Sequence, residues 1–271
     1  MGPLDSITEL VIVCGHAICL NSRDAYDQTS WLLQPFQQAD ASTGKPSEHD
    51  TFLQHISAGA SFLRSPSTLL VFSGGKTRSG CDVAEGYSYG QVLLHDRNLH
   101  GPGIRDALLQ RRVAAECWAT DSYQNLLFSM IYFWEKVGRW PENITIVTHA
   151  FKQDRFLRNH SQALRWPEHR IKVMGINPPF SSKELAEVTN FEAKCTRQWE
   201  QDPYGVREPL AGKRKQRKWE GNASTGVLGG IQDVQVKEQL KTLMRWTGGD
   251  SGREIFPYPL PWDKINRGTS Q

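Results

Sequence analysis

Residues 68–78 read TLLVFSGGKTR, and this stretch decides the fold class. A short apolar run, Thr68–Phe72, ends at Ser73, Gly74 and Gly75 and is followed by three polar residues, Lys76, Thr77 and Arg78. An apolar run of this length, bounded by glycine, is typical of a strand buried on both faces of a parallel sheet. Two glycines at its carboxyl end let the backbone turn sharply and approach a ligand closely. Because ligands bind at this edge of open α/β sheets, the cations beyond the turn predict an anionic ligand.

Strand patterns alternate with helix patterns over the first two hundred residues. The predicted strands cover 10–14, 68–72, 111–117, 144–148 and 170–176. The predicted helices cover 47–63, 82–94, a segment starting at Asp121 or Ser122, a segment after the fourth strand that carries Phe156, Leu157 and Leu164, and 183–199. No hairpin signal separates the strands, so we expect a mostly parallel sheet with helices on both faces, which is an α/β fold.

The composition changes after Gln201. Residues 1–200 are predicted to form one α/β domain, and residues 201–271 a C-terminal helical and loop extension packed on it. The extension contains a basic run, Lys213–Lys218, a predicted amphipathic helix at 234–246 and an extended proline-rich tail at 256–262.

Bulk properties exclude several classes of protein. A formal net charge of +3 is too small to indicate a nucleic-acid partner. The five cysteines lack metal-ligand spacing, which predicts no metal site and a reduced, cytoplasmic protein. The absence of an uninterrupted apolar stretch of about 18 residues argues against a membrane span.

The turn at Ser73–Lys76 is a candidate ligand site but not a P-loop, because the GxxxxGK[ST] spacing is absent. Its backbone N–H groups and the hydroxyls of Ser73 and Thr77 would hold a phosphate or carboxylate. The alternative is an ordinary tight turn followed by solvated cations. We favour ligand contact because this is the binding edge of the fold.

Other polar residues are predicted at the same edge. The candidate ligand-binding residues are Gly15, His16, Ser73, Gly74, Gly75, Lys76, Asp121, Ser122, Asn125, Thr148, Lys152 and Arg155. The candidate acid–base residues are Glu85, Glu116 and His149. The alternatives are helix capping for Asp121 and Ser122, solvated surface positions for the two glutamates, and solvated cations for Lys152 and Arg155.

Two further sequence patterns bear on function. A GxSxG nucleophile elbow is absent, so the sequence gives Ser73 no hydrolase role. The run Lys213–Lys218 has the composition of a nuclear localisation signal or a nucleic-acid patch. Because no aromatic residues interleave with its charges, we favour a solvated or domain-covering linker.

The order of these motifs resembles the YdcF-like family, the domain-of-unknown-function group 218, and in particular its fungal-type members. The resemblance runs from Glu9 to Pro178. It rests on the first glycine turn, Ser73-Gly74-Gly75, Glu85, Glu116, Thr120-Asp121-Ser122 with Asn125, and the strand 144–148 followed by Phe151 and Arg155. The chain departs from the family at Cys14-Gly15-His16, where the family has more glycine, and at Ala150-Phe151-Lys152, where it has a Tyr-His pair.

The resemblance implies a Rossmann-like three-layer sandwich, and it implies S-adenosylmethionine as one candidate cofactor. The preferred hypothesis is a hydrolase or transferase that acts on a nucleotide-like or phosphate-bearing small molecule at the carboxyl edge of the sheet. The second is a binding module without chemistry, with S-adenosylmethionine as its ligand. The third is a nuclear or scaffold protein that uses the basic run.

Overall fold

The computed structural model describes residues 4, 6–219 and 224–263. Its strands are β1 (Glu9–Cys14), β2 (Ile18–Cys19), β3 (Trp31–Leu32), β4 (Thr68–Ser73), β5 (Val113–Glu116), β6 (Asn143–Thr148) and β7 (Ile171–Gly175). Its α-helices are α1 (His49–Ser61), α2 (Glu85–His95), α3 (Ile104–Leu109), α4 (Ser122–Val137), α5 (Ser161–Ala163), α6 (Ser182–Gln201), α7 (Leu210–Gln216), α8 (Ser224–Val227) and α9 (Val234–Met244). A π-helical segment, Arg155–His160, precedes α5.

Five strands form one parallel sheet in the order β5-β4-β1-β6-β7. The central strands are buried on both faces because their side chains alternate between two apolar layers. In β1, Leu10 and Ile12 join a core with α4 and the C-terminal segment, whereas Val11 and Val13 join a core with α1, α2 and α3. The result is a Rossmann-like three-layer α/β sandwich, which confirms the predicted fold class.

The strand order places a topological switch point at the centre of the sheet. From β1 the chain moves outward through β4 to β5 and then crosses back through α4 to β6, on the other side of β1. The connections that leave β1 and β6 therefore diverge, and in such sheets ligands bind between them at the carboxyl ends of the strands. This place, bounded by the segments that follow β1, β4 and β6, is called the crevice below.

The C-terminal segment contributes to the core on the α4 face. Trp262 is fully buried, lies edge-on to Trp140 with ring centroids 4.9 Å apart, and donates from Nε1 to the Leu164 carbonyl at 2.7 Å. The Tyr204 hydroxyl donates to the Ala163 carbonyl at 3.0 Å. These contacts attach the residues after Gln201 to the sheet domain; the boundary at residue 200 itself stays a prediction.

Some elements were not expected. The short antiparallel pair β2–β3 and helix α3 have no counterpart among the predicted elements. The basic run was expected as a linker, but most of it lies on helix α7. In the described part of the chain, no helix has the length and apolar character needed to cross a membrane.

Candidate functional site

The crevice at the switch point is lined by the segments that follow β1 and β6. Gly15 and His16 follow β1, and both are half-buried. From the β6 side, the hydroxyl of Thr148 lies 3.2 Å from Nε2 of His16, and the half-buried Lys152 reaches Nδ1 of the same ring, also at 3.2 Å. The structure therefore brings together candidates that are more than 130 residues apart in sequence.

Two glycines make room for Glu85 in this crevice. A Cβ atom at Gly15 would lie 2.6 Å from Cβ of Glu85, and one at Gly74 would lie 2.8 Å from the same atom. Any larger residue at either position would push away the glutamate. Its carboxylate accepts a hydrogen bond from the Thr77 hydroxyl. The two glycine turns predicted from sequence thus leave space for the Glu85 carboxylate between the ends of β1 and β4.

The N–H groups of the glycine turns donate within the protein. Gly15 donates to the Ser73 carbonyl at 2.8 Å, Gly74 to the Glu116 carbonyl at 3.1 Å, and Gly75 to the Ala119 carbonyl at 2.6 Å. The start of α2 closes the turn from the other side, because Glu85 N–H donates to the Gly75 carbonyl at 3.0 Å. In this arrangement, side chains rather than turn N–H groups face the crevice.

Three neutral imidazoles form the floor beside Lys152. His16 stacks on His149 with ring centroids 4.2 Å apart, and the His55 ring lies 5.1 Å from His149. Burial lowers the pKa of all three, to about 4 for His55. Because an ammonium can only donate, Nδ1 of His16 accepts from Lys152 and its Nε2 carries the hydrogen. His149 is 3% exposed, and neither of its ring nitrogens has a hydrogen-bond partner.

Three cations from separate segments act on this crevice. Arg78 follows β4, Lys152 follows β6, and Arg217 follows α7. All three lower the pKa of Glu85, against a larger upward effect of burial. Within the described residues, none of the three has a carboxylate oxygen within 4.0 Å. The crevice therefore carries positive charge that the protein's own acids neutralise only in part.

Helix α7 is anchored over the amino end of α4. Arg214, which is 8% exposed, donates from Nε to Oδ2 of Asp121 at 2.5 Å. Arg217 donates to the Thr120 carbonyl at 2.6 Å, and Lys213 to the Gln198 side chain at 3.0 Å. Sequence reasoning did not assign Arg217 to the site. The sequence does contain a signal for helix α7, which precedes Arg217: an apolar residue and a basic residue four positions apart, Leu210 and Arg214. Both are buried in the structure.

Asp121, Ser122 and Arg155 are held by partners inside the protein. Asp121 caps α4, because its Oδ1 accepts from Gln124 N–H at 2.9 Å. The Ser122 hydroxyl lies 2.7 Å from Nε2 of the fully buried His160. Arg155 makes a two-pronged ion pair with Glu192 of α6, with Nε 2.8 Å from Oε1. Its other nitrogen, Nη1, is 3.4 Å from the Ser122 hydroxyl.

Glu116, Ser73 and Asn125 form a buried network below the crevice. The carboxylate of Glu116 accepts from the Ser73 hydroxyl at 2.6 Å and from Trp118 N–H at 2.6 Å. Asn125 donates to the Ser73 carbonyl at 3.0 Å and to its hydroxyl at 2.9 Å. Burial raises the pKa of Glu116 to about 7, and the hydrogen bonds from Ser73 and Trp118 oppose that rise. With 3% exposure, Glu116 fixes the geometry of the turn beneath the site.

Lys76 lies apart from the other candidates. Its side chain is 54% exposed and is 3.8 Å from the exposed Asp82. Among the described residues, no group of three or more His, Cys, Asp or Glu side chains has the arrangement of a metal site.

A second cleft of about 540 Å³ lies between the end of α6, the start of α7 and residues 251–253. It is lined by Lys194, Arg197, Gln198, Gln201, Asp202, Arg207, Glu208, Pro209, Leu210, Ser251 and Arg253. These residues include none of the candidates above, and they come from the far ends of helices rather than from strand ends. The perturbed acids and bases described above lie at the crevice, which is why we take the crevice as the candidate site.

Comparison with known proteins adds one relative. The chain is similar to the uncharacterized protein YOR238W of Saccharomyces cerevisiae, with 22% identity over 311 residues, covering 96% of this chain and 98% of the yeast protein. No family model matches the chain, so the resemblance to the YdcF-like family stays a prediction. No solved structure matches it either. The chain is thus a distant homologue of an uncharacterized yeast protein along nearly its whole length.

Proposed function

We propose that the crevice binds a nucleotide-like or phosphate-bearing small molecule, and that the protein is a hydrolase or transferase acting on it. The observation that carries the proposal is the convergence of Arg78, Lys152 and Arg217, which lack close carboxylate partners among the described residues and act on one crevice at the switch point. Arg78 and Lys152 are half-buried, which strengthens their attraction for phosphate oxygens, whereas Arg217 is exposed. Arginine binds two phosphate oxygens at once.

Glu85 supplies the acid–base and hydroxyl-binding chemistry in this proposal. Its pKa is raised by burial, which brings proton uptake and release closer to neutral pH. It is half-buried at the crevice, whereas Glu116 and His149 lie below the surface at 3% exposure. A carboxylate beside a phosphate site also accepts hydrogen bonds from sugar hydroxyls, as in dinucleotide-binding folds.

Isothermal titration with matched ligands tests the proposal. We would titrate AMP against adenosine, ribose 5-phosphate against ribose, and S-adenosylmethionine as the cofactor that the family resemblance implies. The phosphorylated member of each pair should bind more tightly. Turnover of a bound ligand, followed by mass spectrometry, then separates an enzyme from a binding module.

A matched pair of variants assigns the binding to the crevice. Arg217→Gln removes a charge-assisted contact worth about 1.5–3 kcal/mol, so affinity for the phosphorylated ligand should fall about ten- to hundred-fold. Lys215→Gln makes the same change of charge on an exposed residue of α7 and should leave affinity nearly unchanged. Equal effects of the two substitutions, or phosphate-independent binding, would contradict the proposal.

A further inference from the structure

Lys152 places its ammonium against a ring nitrogen, whereas Lys45 and Lys213 donate to the Phe36 carbonyl and to the Gln198 side chain. Lys76, Lys136 and Lys241 each have a carboxylate within 4.0 Å, at 3.8, 2.8 and 2.6 Å respectively. The ammonium of Lys152 instead lies 3.2 Å from Nδ1 of His16, and 5.8 Å from the centroid of the Phe151 ring. A half-buried lysine whose nearest partner is a neutral base has the surroundings of a reactive amine.

The charges around Lys152 favour the uncharged amine. Burial and the positive charge of Arg155 lower its pKa to about 8, against a smaller opposing effect of Glu192. The ring of His16 stays neutral because burial holds its pKa well below the usual value, so its Nδ1 accepts a hydrogen bond from Nζ without adding a charge beside it. Glu85, whose pKa is raised by burial, lies at the same crevice and can act as the acid.

We propose that the Lys152 amine is a nucleophile that forms an imine with a phosphate-bearing aldehyde or ketone held in the crevice. The inference rests on the proposed function, because the phosphate would be held by Arg217 and Arg78 while the carbonyl carbon lies against Nζ. It extends that function by naming the reactive group of the ligand, a carbonyl, and the protein atom that attacks it.

The chemistry balances without an oxidant or reductant. The lone pair of the uncharged Nζ attacks the carbonyl carbon, and the C=O π pair moves to oxygen. One proton passes from the nitrogen, which is now positively charged, through water to this oxygen and gives a neutral carbinolamine. The hydroxyl oxygen takes a second proton from Glu85 and leaves as water while the nitrogen lone pair forms the C=N bond. The protonated imine then returns its remaining N–H proton to the Glu85 carboxylate. One amine and one carbonyl give one imine and one water.

Borohydride trapping tests the proposal on the intact protein. The probe is pyridoxal 5′-phosphate at limiting concentration and pH 7.5, compared with pyridoxal, which lacks the phosphate. Because pyridoxal closes to a cyclic hemiacetal that slows its reaction with any amine, each aldehyde's rate on Lys152 is divided by its rate on the exposed Lys76 before the two aldehydes are compared. Sodium borohydride reduces an imine to a stable secondary amine, which peptide mapping locates. We expect one equivalent on Lys152, formed at least about tenfold faster than on Lys76 and at least about tenfold faster than with pyridoxal. Lys152→Arg should abolish this label, and Lys76→Arg should keep it.

The dependence of labelling on pH gives an independent readout from the wild-type protein alone. Labelling of Lys152 should rise with a midpoint near its pKa of about 8. Labelling of a free lysine derivative in the same buffers should rise toward the ordinary lysine pKa near 10.4. The titratable and charged groups that act on Lys152 or feel its charge are Cys14, His16, Glu48, His55, Glu85, His149, Arg155, Glu192 and Arg217.

Failure of the imine and failure of the anion site give different results. Labelling of Lys152 at equal rates by both aldehydes upholds the reactive amine and overturns the phosphate site. Reversible binding of pyridoxal 5′-phosphate that inorganic phosphate displaces, with no label on Lys152, upholds the anion site and overturns the imine. Labelling confined to exposed lysines also overturns the imine.

Discussion

The substitution Asp121→Asn distinguishes two ways in which Asp121 can affect anion binding: by anchoring α7, or only by its negative charge. Asn keeps the oxygen that caps α4 at Gln124 N–H, and Asn is as good an N-cap as Asp. It removes the negative charge that pairs with Arg214. The Arg214 side chain is 9% exposed and the Asp121 side chain 13%. Leaving the buried arginine unpaired should lower the free energy of unfolding by about 3 kcal/mol. This is the low end of the range for broken buried ion pairs, because Asp121 retains some exposure. In a chain of this size that corresponds to a fall in Tm of about 5 °C.

Asp121→Asn changes AMP affinity in opposite directions, depending on whether Asp121 acts only through its charge or also anchors α7. Removing a negative charge near an anion site should tighten anion binding if only Coulomb's law acts. If the ion pair anchors α7, its loss releases Arg217, and affinity for AMP should fall about tenfold or more, as in Arg217→Gln. The assays are calorimetric titration and hydrogen exchange, which should increase over 210–217. Asp154→Asn breaks an exposed pair with Arg158 and should cost less than about 0.5 kcal/mol. Tighter AMP binding by Asp121→Asn, with unchanged exchange in α7, would refute the reasoning.

Two further predictions concern stability. Trp262→Ala removes a fully buried ring and its hydrogen bond to the Leu164 carbonyl, so urea unfolding should show a loss of about 3–5 kcal/mol; a loss below about 1 kcal/mol would show that the C-terminal segment lies outside the core. Folding holds the pKa of four histidine rings below their unfolded value, so their contribution to the free energy of unfolding is fully present above about pH 6.5. As the pH drops below about 6.5, the free energy of unfolding should fall by up to about 1.4 kcal/mol per pH unit for each of these histidines. These rings are His16, His55, His149 and His160. Glu116, with its pKa raised to about 7, gains stability as the pH falls from 7 to 4.5, so Glu116→Gln should make the acid loss steeper. A urea midpoint that is constant from pH 7.5 to 5.0 would contradict the assignment of neutral buried histidines.

The sheet could be predicted because each central strand is a short apolar run with a polar stop. The run Thr68–Phe72 and the run 144–148 each become a buried parallel strand, extended by one residue. A strand buried on both faces can be recognised from its own sequence, because all its residues must be apolar or nearly so. The pair β2–β3 could not be predicted in this way, because each strand is only two residues long and depends on contacts made by the folded domain.

The site was predicted in part, for a physical reason. Candidates at strand ends, such as His16, Thr148 and Lys152, are brought together because parallel strands end at one edge. Whether a cation is free or paired depends on distant residues: Arg155 is paired by Glu192, and Arg217 reaches the site from the extension. Neither partner is indicated by local spacing. The partners of the turn N–H groups, such as Gly75 with the Ala119 carbonyl, likewise appear only in the folded chain.

The most direct test of the central claim is a crystal structure of the protein soaked with tungstate, a phosphate analogue that anomalous scattering locates without ambiguity. The account predicts a tungstate ion in the crevice at the ends of β1, β4 and β6, with Arg78 and Arg217 within hydrogen-bond distance of its oxygens. Tungstate bound only in the cleft lined by Arg197 and Arg253, with the crevice empty, would contradict it.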